Sequence, residues 1–357
     1  MMLKSRVHGS CKSANRLAAL AVAALSLACG QSTSSVPAQS PTYSIPGWTV
    51  VAEHAVGRTP GPVTIGGRWA FVPNMSDGTV TQLDRGTGRI IATIVVADPK
   101  VLRAQGCAPD SVHAYYSGSW GWRACNTPYA IAWDGSSLWA LDNGRKQLIR
   151  VDPITRSVID HINLPGTGWD LGVSGTTAWV SGNDADHSVY VVDLSRHSVI
   201  ATNSELDQGT AALAAGSGGV WVLCVRGASG HLDRIDPVTK QVVDRYPAEW
   251  WSTAVIESGN AVYVRGTYGG DISRINPESG AVEWTQPGPG FIGTNGLDEL
   301  GAAPDGIWLS GPITARIDPT SGRIVETIRV SSMSAAAEGN ELWLGLLDGS
   351  IVELRHK

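Results

Sequence analysis

The 357-residue sequence predicts an all-β protein built from seven similar units of four short strands each. Three observations predict this fold: an aromatic residue that recurs at regular intervals, a turn motif that recurs with it, and two chain ends that complete one unit together. The composition agrees, because 42 glycines and only 17% charged residues suit many short strands joined by tight turns.

The aromatic residues mark the second strand of each unit. From Trp139 onward they are 35 to 45 residues apart, and Trp69 precedes Trp139 by one such interval plus an insertion of about thirty residues at 98–127. The full set is Trp69, Trp139, Trp179, Trp221, Tyr263, Trp308 and Trp343. We expect these seven anchors to be buried packing residues, not ligand contacts.

The recurring turn follows the third strand and begins with an acid or amide and a proline. An Asp or Asn side chain accepts backbone N–H groups of such a turn, and proline presets the next φ angle. The motif occurs at Asp152-Pro153, Asp236-Pro237, Asn276-Pro277 and Asp318-Pro319. An arginine stands two residues before each turn (Arg150, Arg234, Arg274 and Arg316), and we expect it to pair with acids on neighbouring strands.

The last unit ends at Lys357 after only three strands. The missing strand is available at residues 48–56, which have the composition of a strand and precede the first complete unit. Pairing the two would remove an open sheet edge. The sequence therefore predicts a seven-bladed β-propeller over residues 48–357, closed by pairing the N-terminal strand with the last blade.

The repeated pattern, Leu-Trp followed by Arg-Ile-Asp-Pro-x-Thr/Ser-Gly-x-Val, resembles bacterial propellers related to virginiamycin B (streptogramin B) lyase and to the YVTN repeat proteins. The resemblance covers nearly all of residues 48–357 and implies the fold more than any function. The lyases are metal-assisted enzymes that use histidine and glutamate near the channel mouth. Here the strands at Trp139, Trp179 and Trp308 lack that glutamate, and no histidine precedes an inner strand.

Three hypotheses for the function follow. The first is a binding or scaffold module, without a cofactor, that holds a small molecule, a glycan or an envelope protein. The alternative is a Mg²⁺-dependent carbon–oxygen lyase. Its weak catalytic candidates are the loop residues His187 and His231, and its weak metal candidates are Asp184 and Asp186. A quinone-cofactor propeller ranks last, because no repeated tryptophan-docking motif is present.

Residues 1–28 are typical of a signal peptide. Four basic residues precede a twelve-residue apolar run, 17–28, which is too short to span a bilayer. Ala28-Cys29 resembles the end of a bacterial lipobox, so we expect lipidation of Cys29, with 29–47 as a flexible tether. The protein would then be a cell-envelope lipoprotein or a secreted protein.

Export to an oxidising compartment allows disulfides. We expect Cys107 to pair with Cys125 within the insertion, and Cys224, which lies in an apolar run, to be a buried thiol.

Removing residues 1–28 leaves 23 basic and 32 acidic residues, a net charge of −9. A chain this acidic without a basic cluster argues against nucleic acid and anionic lipid surfaces as partners. A closed propeller has no free edge strand to share, which favours a monomer.

Loops that enter the innermost strands and loops between second and third strands share one face of a propeller, where the central channel opens. Residues there that do not repeat are the candidates for binding. Several tryptophans with scattered charges suit a ring-bearing or glycan-like ligand, or a protein partner. The predicted ligand-binding residues are Trp169, Asp170, Trp250, Trp251, Asn295, Arg265 and Tyr268.

Overall fold

The computed structural model describes residues 45–98, 100–101, 127–182, 187–206, 209–226, 229–248, 252–266, 270–290, 300–346 and 348–357. The predicted signal peptide, Cys29, most of the tether and the Cys107–Cys125 pair lie outside these residues, as does most of the 98–127 insertion. In the described part of the chain, no helix has the length and apolar character that crossing a membrane requires.

The described residues form seven antiparallel sheets of four strands, as predicted. Three blades come first in the chain, with strands β2 (Thr64–Gly66), β3 (Trp69–Asn74), β4 (Thr79–Asp84), β5 (Arg89–Val95), β6 (Ile131–Trp133), β7 (Leu138–Asp142), β8 (Gln147–Asp152), β9 (Ser157–Asn163), β10 (Gly168–Ser174), β11 (Thr177–Gly182), β12 (Val189–Asp193) and β13 (Ser198–Asn203).

Three further blades follow, with strands β14 (Thr210–Ala215), β15 (Val220–Arg226), β16 (Ser229–Ile235), β17 (Val242–Ala248), β18 (Ser252–Ser258), β19 (Ala261–Gly266), β20 (Ile272–Ile275), β21 (Val282–Gln286), β22 (Leu300–Ala303), β23 (Gly306–Leu309), β24 (Thr314–Ile317) and β25 (Ile324–Ile328). The last blade combines β26 (Ser332–Glu338), β27 (Glu341–Leu346) and β28 (Ser350–His356) with β1 (Trp48–Ala55).

The first strand of each blade is the innermost. Strand β10 packs beside β14, β14 beside β18, and β22 beside β26, so these strands line the centre of the ring. Six blades then proceed outward strand by strand in chain order, and the last blade proceeds from β26 to β28 and has β1 outermost. This is the propeller arrangement that the repeat predicts.

The aromatic anchors join neighbouring blades. Trp139 packs against Leu171 and Val180 of the following blade, and Trp179 packs against Leu213 and Val222 of the one after it. The series continues to Trp343, which packs against the first complete blade at Ala70, Val72 and Leu83. Each anchor therefore stabilises the contact with the next blade. The last anchor packs against the first complete blade, so the series of contacts continues around the whole ring.

The arginines before the turns cover these anchors. The guanidinium groups of Arg150, Arg234 and Arg316 lie 5.6, 5.7 and 5.8 Å from the ring centres of the tryptophans opposite them on the preceding strand. The predicted ion pairs are confirmed for three arginines, with Asp244 at 3.2 Å from Arg234, Glu326 at 3.1 Å from Arg316, and Glu283 beside Arg274. Arg150 differs, since its Nε donates to Ser137 Oγ at 3.0 Å.

The turn motif is also confirmed. Asp236 Oδ1 accepts the N–H groups of Val238 at 2.8 Å and Thr239 at 2.7 Å, and Asn276 and Asp318 make the equivalent bonds. These backbone hydrogen bonds hold the pKa of Asp236 below its usual value.

Strand β1 closes the ring. It pairs antiparallel with β28, from Trp48 opposite His356 to Ala55 opposite Ser350. The Trp48 ring makes edge contacts with Trp308 at 5.6 Å and His356 at 5.1 Å, and its Nε1 donates to Glu326 Oε1 at 2.5 Å. One side chain thus joins β1 to its own blade and to the preceding one.

An ionic cluster joins the closing blade to the first complete blade. Arg85 contacts Glu338 at 2.9 Å and Glu341 at 2.8 Å. Behind them, Glu353 is fully buried; its Oε1 accepts from Arg355 at 2.9 Å, and its Oε2 has no hydrogen-bond partner among the described residues. Burial raises the pKa of Glu353 from 4.5 to about 7, and the charge of Glu341 acts in the same direction.

We expect Trp48→Ala to lower the free energy of unfolding by about 3–5 kcal/mol, because the side chain is 5% exposed and its removal leaves a cavity at the closure. Chemical denaturation followed by circular dichroism measures this. Val325→Ala, at a residue that is 54% exposed, is the control and should change stability by less than about 0.5 kcal/mol. Equal effects of the two changes would contradict the importance of Trp48.

We expect the free energy of unfolding to contain a Glu353 contribution that is present below about pH 4.5 and lost as the pH rises through about 7. The folded chain retains a proton on Glu353 that the unfolded chain releases. Glu353→Gln removes this dependence. The free energy of unfolding of the variant, relative to that of the parent, should therefore rise by roughly 1–2 kcal/mol from pH 5 to pH 8. This rise is smaller than the full pKa shift of Glu353 implies, because Arg355 and solvent relax around the charge. Denaturation series at both pH values test this, with the exposed Glu278→Gln as control, and an unchanged slope in Glu353→Gln would refute it.

Candidate functional site

A cavity of about 180 Å³ lies where the inner strands converge. Strands β2, β6, β10, β14 and β18, or the residues just before them, all contribute to its wall. The cavity therefore lies in the central channel, the part of a propeller that the sequence predicts as the functional face. Two of the predicted ligand-binding residues, Trp169 and Asp170, belong to its wall.

A β-bulge recurs at the entrance of several inner strands and determines which side chains face the cavity. The pairing register shifts at Gly168/Asp170, Thr210/Ala212, Ser252/Ala254 and Ser332/Ser334. In each case one residue is left unpaired in the strand, which bends the backbone and redirects the adjoining side chains. The extra residues are Trp169, Ala211, Thr253 and Met333. Three of these four contribute to the cavity wall.

Trp169 and Asp170 connect neighbouring blades at this wall. Trp169 Nε1 donates to the carbonyl oxygen of Ala211 at 2.8 Å, and the indole is 2% exposed. Asp170 Oδ2 accepts the N–H of Leu213 at 2.7 Å, while its Oδ1 accepts the N–H of Leu171 at 2.8 Å. Both side chains therefore have a packing role between β10 and β14 in addition to their place at the cavity.

Thr253 and Tyr129 are wall residues that the sequence analysis missed. Thr253 Oγ1 is buried and has no hydrogen-bond partner within the described part of the chain. Buried hydroxyls are almost always paired, so this hydroxyl is an exception among the described residues of the wall. Tyr129 places its ring 5.9 Å from that of Trp169, which gives the wall an aromatic surface. Thr253 follows the small residue Ser252 at the start of β18, just as Ala211 follows Thr210 at the start of β14. This position is the only sequence signal for Thr253.

Two candidates predicted in loops lie in strands instead. Arg265 is in β19 and fully buried, where it donates to Ser310 Oγ at 3.4 Å and to the Gly290 carbonyl at 3.2 Å. His231 is in β16 and only 7% exposed. For His231 the physical reason is a tighter hairpin than predicted, since β15 continues to Arg226 and β16 begins at Ser229. For Arg265 it is that β19 continues to Gly266.

His231 lies 3.4 Å, from Nε2 to Oδ2, from the buried carboxylate of Asp233. Arg245 contacts both oxygens of that carboxylate, at 2.7 and 2.9 Å. Burial acts to raise the pKa of Asp233, but the hydrogen bonds from His231 and Arg245 outweigh it and hold this pKa below its usual value. Cys224 nearby is fully buried and remains a thiol, as predicted.

Among the described residues, His187 does not line the cavity. His187 is half-buried, with a φ of 51°, at the entrance to β12. Outside the described residues lie Trp250, Trp251, Tyr268, Asn295, Asp184 and Asp186, so their binding or metal roles stay predictions.

Comparison with known proteins supports the fold. No family model matches the sequence, and no curated protein matches it. Among solved structures, a chain of the mitotic checkpoint complex is similar with a TM-score of 0.65 and 13% identity, over 96% of this chain and 98% of that one. A chain of hydrazine synthase from Kuenenia stuttgartiensis has a TM-score of 0.63 and 13% identity, over 85% of this chain and 97% of that one. At this identity the likeness extends to the fold alone.

We expect Asp170→Ala to lower the free energy of unfolding by about 1–3 kcal/mol, because the buried N–H of Leu213 loses its charged acceptor. Thermal and chemical denaturation measure the change. Glu205→Ala, at an exposed acid, is the control and should be near neutral. If Asp170→Ala were as stable as the control, the carboxylate would have no role between the blades.

Proposed function

We propose that this protein is an exported binding module that takes a small polar molecule, or the terminal unit of a glycan, into the mouth of its central channel. The observation that carries the proposal is the cavity bounded by five inner strands, with an unpaired Thr253 hydroxyl in its wall. The fold contributes rigidity, since the inner strands belong to a closed ring.

The size of the cavity limits the ligand. About 180 Å³ is below the roughly 300–1,000 Å³ typical of pockets for drug-sized ligands. A single sugar unit or a molecule of similar size suits it, and a longer glycan would insert only its end.

The chemistry of the wall suits a ligand rich in hydroxyl groups. Thr64 and Thr253 provide hydroxyls, Asp170 provides a carboxylate, and Tyr129 provides an aromatic ring. Aromatic faces pack against the apolar side of sugar rings, while hydroxyl and carboxylate oxygens bind the sugar hydroxyls.

Export and lipid anchoring at Cys29 belong to the same proposal. The basic residues, the apolar run and Cys29 support it, and the Ser/Pro/Gln-rich stretch after Cys29 would give the propeller freedom to reach a ligand at the cell surface. We do not propose the Mg²⁺-dependent lyase, because neither candidate histidine is among the residues that line the cavity.

The direct test is calorimetric titration of the full mature chain with a panel of monosaccharides, short glycans and small polyols. Thr253→Val retains the side-chain volume and removes the hydroxyl, so we expect it to weaken binding of the ligand found by about tenfold, equivalent to one hydrogen bond. The control is Thr285→Val, an exposed threonine on the outer strand β21. If Thr253→Val bound the ligand as tightly as the parent does, the proposed channel site would be wrong. The same would follow if Thr285→Val weakened binding as much as Thr253→Val does.

A further inference from the structure

Three side chains capable of binding a metal lie on one face of the hairpin formed by β15 and β16. Cys224 of β15 is directly opposite His231 of β16, and Asp233 is two residues further along β16. Residues two apart in a strand point to the same face, so the strand pairing itself brings the thiol, the imidazole and the carboxylate together.

The separations match a single metal ion. The three ligand atoms all lie within 4.8 Å of one another. His231 Nε2 is 3.4 Å from Asp233 Oδ2, and Cys224 Sγ is 4.0 Å from the same oxygen. Ligands of a tetrahedral zinc ion, bound at about 2.0–2.3 Å, are themselves about 3.3–3.8 Å apart. Small side-chain rotations are therefore enough to bring all three atoms to one ion.

The surroundings also suit a metal. Cys224 and Asp233 are fully buried, and Cys224 belongs to the apolar cluster around Val189, Val191 and Trp179. Arg245 holds both oxygens of the Asp233 carboxylate, in the way that a second layer of hydrogen bonds usually orients a metal-binding carboxylate. His231 retains a small exposed fraction, which gives an ion access to the cluster.

We infer that Cys224, His231 and Asp233 form a site for a divalent transition metal ion of the zinc type. Mixed sulfur, nitrogen and oxygen ligands are those that zinc accepts, and magnesium and calcium would require oxygen ligands instead. On binding, the Cys224 thiol releases its proton to solvent and the thiolate bonds to the metal. Three protein ligands leave a fourth position for water. This site is separate from the channel cavity and does not depend on the proposed function.

The test uses the full chain, freed of metal by a chelator and titrated with Co²⁺ and then Zn²⁺. We expect one equivalent of Co²⁺ to bind with a thiolate-to-cobalt absorption band, and Zn²⁺ to displace it. Cys224→Ser should abolish the band. His231→Gln removes a direct ligand and should weaken Zn²⁺ binding by at least about 100-fold, since loss of a mere supporting partner already costs roughly 10–100-fold. Circular dichroism confirms that each variant is folded.

Two matched controls separate this site from other groups. His161→Gln changes an exposed histidine of β9 and should leave the affinity unchanged. Cys107→Ser with Cys125→Ser removes the other cysteine pair and should retain the cobalt band. A folded parent chain that gives no thiolate band, or a band that persists in Cys224→Ser, would overturn the inference. If Cys224→Ser does not fold, an unchanged Zn²⁺ affinity in His231→Gln would overturn it equally.

Discussion

The pairing of β1 with β28 is the interaction on which the rest of this structure depends. Each blade packs its aromatic anchor onto the following blade, so every interface is supported by the next one around the ring. This succession is complete only if the seventh blade is complete, and that blade takes its outer strand from the N-terminal end of the propeller. Without the pairing, β28 would expose an unpaired edge and Trp48 would lose its contacts with Trp308.

Closure also explains where binding is possible. The inner strands of a closed ring converge, and the bulges at their entrances direct side chains to the position where a ligand would bind. The bulges at Trp169, Ala211 and Thr253 lie at this position. The hairpin of β15 and β16 provides a second kind of site, since it joins two strands whose buried side chains face the neighbouring blade.

Repetition explains how much of the fold could be predicted. Anchors such as Trp139 and turns such as Asp236-Pro237 recur, and each has the same physical role at every recurrence.

The functional residues do not recur, so their environment had to be seen. Trp169 lines the channel cavity, but its indole N–H is used by the Ala211 carbonyl, and its ligand-binding role stays a prediction. For Thr253 the position at the start of an inner strand does not reveal the unpaired hydroxyl, which becomes evident only when its neighbours are known. His231 was predicted in a loop because Val225 to Gly230 contains turn-forming residues that do not reveal where β15 and β16 end. The register of these two strands was needed to bring Cys224, His231 and Asp233 together. Arg265 was predicted in a loop because Gly266 follows it, although β19 continues to Gly266.

Hydrogen–deuterium exchange of backbone amides tests the central claim most directly. If closure by β1 holds the ring together, the amides of β1 that pair with β28 should exchange only with global unfolding, at the same slow rate as those of β15 and β27. Rapid exchange in β1 while the other blades stay protected would show that the ring is stable without its closing strand, and would contradict this account.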